Sequence, residues 1–258
     1  MERITRLLGV LVTAGCVGAC SVAPAPDPAV PGAEVRRYVS QRIGAVVVTD
    51  RDDLSQWVDR GFPTPRPKGE AEGGSATPIS PDGYFLTANH VLARMAGRNV
   101  FVFHGFVGRP TATKARVIWR SQGADLALLH IPARIDYYYH WSPPDRWLVE
   151  GSGVIHGGIA TGPKSEWGKL VTSLAPEGSF TGSRKFKIDI PLQPGDSGGP
   201  VVDAHGALVG INTAVEYLVP METAFFVDSE ASRPNTRKIE SLMQQDRARN
   251  NRPNPAVE

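Results

Sequence analysis

Residues Gly195-Asp196-Ser197-Gly198-Gly199-Pro200 set one hydroxyl between a Gly-Asp pair and a Gly-Gly pair. Glycine lacks a Cβ and lets the backbone turn tightly, so that amide N–H groups can point at an oxyanion forming beside the serine. This arrangement suits acyl transfer with Ser197 as the nucleophile. A serine hydroxyl needs a base within hydrogen-bond reach, and the base needs an orienting group. Six histidines compete for the first role. His90 is preferred because it follows the strand-like run Tyr84–Thr87, and small Ala88 with Asn89 lets the strand end turn sharply. His104 and His205 adjoin turn glycines, His130 ends an apolar run, His140 sits among aromatics and His156 precedes Gly157-Gly158; taken alone, each of the six also reads as a structural histidine. No pair has zinc-ligand spacing, so neither a metal nor a cofactor is expected. Asp125 opens Asp125-Leu126-Ala127-Leu128-Leu129. A carboxylate at the mouth of an apolar strand wants a partner, and the imidazole N–H of His90 would serve. A plain strand-capping aspartate is the alternative.

Short β-branched and apolar runs must position these groups. Strands are expected at Ile43–Thr49, Ala76–Ser80, Tyr84–Thr87, Val100–Phe103, Ala115–Trp119 and Leu126–Ile131, with a hairpin at Pro81-Asp82-Gly83. Residues 59–74, rich in proline and glycine, read as a long loop. Residues 132–147 read as a crossing between two halves, and Tyr137-Tyr138-Tyr139-His140-Trp141 is expected to pack over the seam rather than line a peptide groove. Strands resume at Gly153–His156, Lys169–Leu174, Phe186–Ile190, Pro200–Asp203, Ala207–Asn212 and Ala224–Val227. Residues 36–41 read as a short helical lead-in. Residues 234–249 read as a helix with Ile239, Leu242 and Met243 on one face, expected to dock on the second half. Residues 250–258 read as a disordered tail.

The 258 residues suffice for one large all-β domain or two small barrels, and the net charge of +2 gives no footprint for nucleic acid. Arg3 and Arg6 precede the apolar run Leu7–Thr13 and then small residues, the pattern of an export signal too short to span a bilayer. Val17-Gly18-Ala19-Cys20 followed by a Pro/Ala-rich stretch resembles a bacterial lipobox, which implies lipidation of Cys20 and a tether with little structure over residues 21–33. An ordinary cleaved signal is the alternative. Cleavage before Cys20 would leave one cysteine, hence no internal disulfide.

Three segments together resemble the trypsin-like, chymotrypsin-fold serine peptidases: Thr87-Ala88-Asn89-His90-Val91, Asp125-Leu126-Ala127-Leu128 and Gly195–Pro200. The order His, Asp, Ser is also theirs. Ser80–Thr87 and Leu208–Ala214 resemble the bacterial high-temperature-requirement (Deg) branch, which normally adds a C-terminal PDZ domain; none is expected within this length, and the oligomeric state stays open. The resemblance implies an all-β fold of two antiparallel six-stranded β-barrels with a C-terminal helix. The peptidase domain would cover 41–249 after a signal (1–19) and tether (20–40), with barrels at about 41–131 and 148–230. It also implies Ser197 as nucleophile, His90 as general base and then acid, Asp125 holding the tautomer, and the N–H groups of Gly195 and Ser197 as oxyanion hole.

By the same analogy Pro191, Leu192, Gln193 and Pro194 face Asn212, Thr213, Ala214 and Val215 across the primary specificity pocket. Pro191 stands where trypsins carry an aspartate, so small or medium apolar side chains are expected before the cleaved bond. A lipid-bearing terminus could not insert beside Asp196, so no zymogen switch of that kind is expected. The expected protein is a lipid-anchored endopeptidase of the bacterial envelope acting on proteins or peptides. An inactive protease-fold peptide binder and an esterase are the alternatives. Cys20→Ser is expected to move the protein from the membrane fraction to the soluble fraction and to abolish incorporation of labelled fatty acid; unchanged fractionation would rule out the anchor.

Overall fold

The computed structural model describes residues 25–55, 71–162, 165–179, 182–218 and 225–250. The export signal, Cys20, residues 59–70 of the expected loop and the tail from 251 lie outside the described residues.

Two antiparallel sheets carry the site. The first uses β1 (Gly44–Thr49), β2 (Ala71–Pro78), β3 (Tyr84–Ala88), β4 (Asn99–His104), β5 (Thr111–Lys114), β6 (Arg116–Ser121) and β7 (Leu126–His130) in the order β5-β4-β1-β2-β3-β7-β6. Only Ala115 separates β5 from β6, yet they pair at opposite edges of the sheet, with β4 and β7. One bent strand thus curls the sheet into a barrel, and a count of seven strands describes six plus a bend. The second sheet uses β8 (Gly153–His156), β9 (Glu166–Lys169), β10 (Arg184–Ile188), β11 (Pro200–Asp203), β12 (Leu208–Leu218) and β13 (Phe225–Arg233) in the order β10-β13-β12-β11-β8-β9. A bridge between Leu170 and Ile188 joins its two edges. This is the all-β, two-barrel architecture that the resemblance implied.

Side-chain alternation explains why β3 and β7 read as unbroken apolar runs. Successive residues point to opposite faces of a strand, and here both faces are covered. Phe85, Ala127 and Leu129 fill the first barrel. Tyr84, Leu86, Leu126 and Leu128 face Ile155, Val202, Leu208 and Ile211 of the second sheet. Tyr139 is buried in that seam cluster and meets Tyr38 edge-on, so the aromatic crossing packs over the seam as expected. Tyr137 at its start stays exposed.

Four expectations are corrected. Residues 71–74 are not loop: they open β2 and pair with Val46–Thr49 of β1. Their glycines mark close approach rather than a turn, since a Cβ on Gly74 would stand 2.7 Å from the Ser197 carbonyl oxygen. The stretch read as a loose tether is held from residue 25 onward. The Asp27 N–H donates to Ser152 Oγ (3.0 Å), its carboxylate meets His205 Nε2 (2.8 Å) and Arg146 (3.3 Å), and helix α1 (Ala33–Ser40) buries Val39 in the seam. The C-terminal helix α2 (Thr236–Arg249) does not dock on the second barrel alone. Ile239 and Met243 enter the seam, and its last turns bind the first sheet. There Arg247 pairs with Asp82 (2.8 Å), and Asp246 takes Arg116 (2.9 Å) and the Tyr84 hydroxyl (2.8 Å). The strand after β8 also differs: β9 covers Glu166–Lys169, where a run over 169–174 was expected.

A buried ion pair ties the second barrel to α2. Arg233, at the end of β13, donates through Nε (2.9 Å) and Nη2 (2.7 Å) to Glu177 Oε1, while Glu177 Oε2 accepts the N–H (2.9 Å) and hydroxyl (2.8 Å) of Thr236. Removing one partner strands a buried charge, which costs about 3–5 kcal/mol. Glu177→Ala is therefore expected to lower the unfolding free energy by about that amount in urea denaturation; a loss below about 1 kcal/mol would mean the pair is dispensable.

Candidate active site

β3 delivers His90. It ends at Ala88, and residues Asn89–Leu92 coil into a single 3-10 turn whose N–H and ring both face Asp125. Asp125 lies in the turn before β7 with φ of +49°, the only non-glycine residue at positive φ among the described residues. That left-handed conformation is uncommon, though aspartate tolerates it better than most, and strained backbone of this kind gathers at functional sites. Here it aims one carboxylate at two donors. Oδ1 accepts the His90 backbone N–H at 2.8 Å and Oδ2 meets Nδ1 at 2.7 Å. The Asp125 carbonyl also accepts the Asn89 N–H at 3.1 Å. An ionised carboxylate only accepts, so Nδ1 carries the proton and Nε2 is left as the basic nitrogen. This pairing raises the His90 pKa above its ordinary value: the hydrogen bond to Asp125 is the main cause, its charge adds to it, and partial burial opposes both.

The Ser197 turn belongs to the second barrel and is seated against β2 and β3 of the first. Ser75 N–H donates to the Ser197 carbonyl (2.8 Å), and the Ser75 hydroxyl donates to the Gly195 carbonyl (2.7 Å) while accepting the Ile159 N–H (2.9 Å). A Cβ on Gly198 would overlap Ser75 O (2.1 Å) and Thr87 Oγ1 (2.4 Å), with Ala88 N at 3.1 Å, so only glycine fits where the turn presses on the strand that leads into His90. Gly74 lies between the Ser197 carbonyl and the side chain of Val91, the residue after His90. Across the seam, Ser232 of β13 donates to the Ala124 carbonyl (2.6 Å) beside Asp125. Each element of the expected triad is thus brought to one seam. Among the described residues no hydrogen bond joins the Ser197 hydroxyl to His90. Nor does a protein acceptor take the N–H of Gly195 (φ +110°) or of Ser197, which leaves both free to serve a ligand.

Asp196 organises the turn from beneath. It is fully buried, and its carboxylate accepts four donors: Ala160 N–H (3.2 Å) and Thr161 N–H (3.0 Å) on Oδ1, Thr161 hydroxyl (2.7 Å) and Gln193 N–H (3.0 Å) on Oδ2. A buried carboxylate requires such partners, and an internal loop supplies them.

Of the expected specificity residues, Pro191, Gln193, Pro194 and Ala214 are exposed, and Leu192, Asn212 and Thr213 are buried. The side chain of Val215 lies outside the described residues. Asn212 borders the serine through its backbone, accepting the Gly198 N–H and donating to the Gly199 carbonyl (both 2.8 Å). Its side chain points inward, with Nδ2 at 3.5 Å from Nδ1 of buried His156. Burial lowers the pKa of His156, so that ring is a neutral part of the interior. Residue-by-residue reading of the sequence missed Ser75, because Gly73-Gly74-Ser75 reads as the end of a loop. The signal available was the pair of hydroxyls at 75 and 77, two positions apart on one face of a strand.

A sequence model of the trypsin-like peptidase domain matches residues 74–211, more than half of the chain. A probable periplasmic serine endoprotease, DegP-like, of Pseudomonas fluorescens is 28% identical over 206 residues, covering 69% of this chain and 40% of that protein. Its counterpart in Brucella suis is 32% identical over 160 residues, covering 58% and 29%. The chain therefore spans about a third of the length of these curated relatives. Among solved structures, the HtrA-type protease AlgW with a decapeptide aligns at a TM-score of 0.57 and 23% identity, over 81% of this chain and 65% of that one. Deg5 aligns at 0.51 and 16% identity, over 70% and 83%. These likenesses agree with the two-barrel fold.

The Asp125 partner favours protonated His90. A folded-state pKa above the roughly 6.5 of a free imidazole makes the pair's contribution to stability full below that pH, and it is lost as pH rises through the folded value. In an NMR titration His90 is expected to lose its proton at a higher pH than in Asp125→Asn, where the value falls back; identical titration curves would contradict the coupling.

Proposed function

Because this chain belongs to the trypsin-like peptidase domain family, we propose that it is a serine endopeptidase hydrolysing peptide bonds in the bacterial cell envelope. The observation that carries the reading is the doubly bonded His90–Asp125 pair beside the Ser197 turn. The names of its periplasmic DegP-like relatives support the location, and the lipobox-like segment ending at Cys20 supports a lipid anchor.

In this mechanism Nε2 of His90 takes the Ser197 proton as Oγ attacks the scissile carbonyl. The N–H groups of Gly195 and Ser197 donate to the resulting oxyanion. Collapse of the tetrahedral intermediate breaks the C–N bond, and His90 gives its proton to the departing amine. Water then attacks the acyl-enzyme, His90 again accepting the proton, and Ser197 is regenerated. Asp125 keeps the proton on Nδ1 and stabilises the imidazolium. In this mechanism the Ser197 hydroxyl bonds Nε2 once substrate is seated, in keeping with catalytic hydrogen bonds that tighten only in the complex.

Substrate preference follows from the absence of an acid at Pro191, and small or medium apolar side chains fit best before the cleaved bond. Activation by an inserted terminus is unnecessary, because loop 159–161 already occupies the Asp196 carboxylate. Wild-type protein is expected to label with a fluorophosphonate probe at Ser197, and Ser197→Ala to lose both labelling and turnover. Cleavage mapping on a peptide library is expected to show apolar P1 residues. Absence of labelling would favour the binding-domain alternative, and a dominant Arg or Lys at P1 would refute the pocket assignment. A chain starting at Ala25, which keeps the docked segment, is expected to retain full activity.

A further inference from the structure

Building on the endopeptidase reading, we propose that Ser75 is a positioning residue that sets the geometry of the oxyanion hole from the opposite barrel. The two N–H groups of the hole, on Gly195 and Ser197, are two residues apart. Their convergence is fixed by the peptide between them that carries the Gly195 carbonyl. Gly195 has no Cβ to restrict it, so the turn holds that peptide from within not by sterics but by the Asp196 N–H, which donates to the Gln193 carbonyl (2.9 Å). Ser75 does so from outside: its hydroxyl donates to the Gly195 carbonyl (2.7 Å) and its N–H to the Ser197 carbonyl (2.8 Å). The hydroxyl is itself aimed by the Ile159 N–H (2.9 Å), and the Ser75 carbonyl accepts the Thr87 hydroxyl (2.8 Å). Ser75 is buried, so its contacts are shielded from bulk solvent. The same loop that satisfies Asp196 thus also orients the Ser75 hydroxyl, and the hole is complete only while β2 is seated on the turn.

A neighbouring contact provides the control. Thr77, on the same face of β2, donates to the Gly198 carbonyl at 2.9 Å, beyond the peptide that joins the two N–H groups. Both bonds cross between barrels, and only that of Ser75 acts on the hole.

The test compares Ser75→Ala and Thr77→Val in the full chain, with a chromogenic peptide and a peptide aldehyde whose adduct carries the oxyanion. Ser75→Ala is expected to lower kcat by about ten- to thirtyfold, the scale of one lost hydrogen bond, with KM within about twofold and aldehyde affinity weakened in parallel with kcat. Thr77→Val is expected to lower Tm by a similar amount to Ser75→Ala while keeping kcat within about twofold. If Ser75→Ala does not accumulate folded, Ser75→Cys, a weak donor of similar size, takes its place with the same expected split. Unchanged kcat and aldehyde affinity in the Ser75 variant overturn the proposal. So does an equal kcat loss in Thr77→Val, which would mean only general loosening of the barrels. A wild-type chain that neither labels nor hydrolyses removes the endopeptidase reading itself, whereas an active wild type with an unimpaired Ser75 variant removes only this one.

Discussion

The contact between the second strand of the first barrel and the Ser197 turn of the second is what the rest of the structure serves. The histidine and aspartate come from one barrel and the serine from the other, so no local motif can hold all three together. Ser75 reaches over to the carbonyls of Gly195 and Ser197, and glycines at 74 and 198 admit the approach. Each such bond contributes about 1 kcal/mol net, too little to dock two barrels. The apolar seam around Leu126, Leu128, Ile155 and Ile211 supplies the larger driving force, since burying each such side chain is worth about 1.5–3 kcal/mol. The hydrogen bonds select one register from among the ways those apolar faces could meet.

Asp196 has a related task. It is a fully buried carboxylate with four donors, three of them from residues 160 and 161. Such a group demands satisfaction at folding, and the loop that satisfies it is part of the same barrel. The turn carrying Ser197 is therefore shaped by the fold itself. Asp125 stands at the corresponding place in the first barrel, where an unusual backbone angle is held by contacts to Asn89 and His90 and by Ser232 on Ala124.

Much of the fold and of the site was legible in the sequence. The triad candidates lie in short local signatures, and the alternating or continuous apolar runs mark β3, β7 and β11 closely. What escaped notice is physically coherent. Gly73 and Gly74 look like loop residues because a single sequence does not separate glycine that bends a chain from glycine that makes room for another chain. Ser75 carried only the faint mark of a second hydroxyl at Thr77, since the partners of its own hydroxyl are more than eighty residues away. The docking of α2 on Asp82, Tyr84 and Arg116 depends on charges spaced across the whole chain, and periodicity names a helix face without naming what covers it. The Pro/Ala segment looked unstructured by composition, yet Asp27, a single charged residue, finds Ser152, Arg146 and His205.

That last arrangement governs how far the domain could roam. Asp27 stands seven positions after Cys20, and a fully stretched chain gains at most about 3.6 Å per residue. If Cys20 carries the proposed lipid, the corner of the second barrel around Asp27 stays within about 25 Å of the bilayer. The working radius of such an enzyme would be a thin layer above the lipid headgroups, and proteins that project only their membrane-proximal segments into that layer would meet it first.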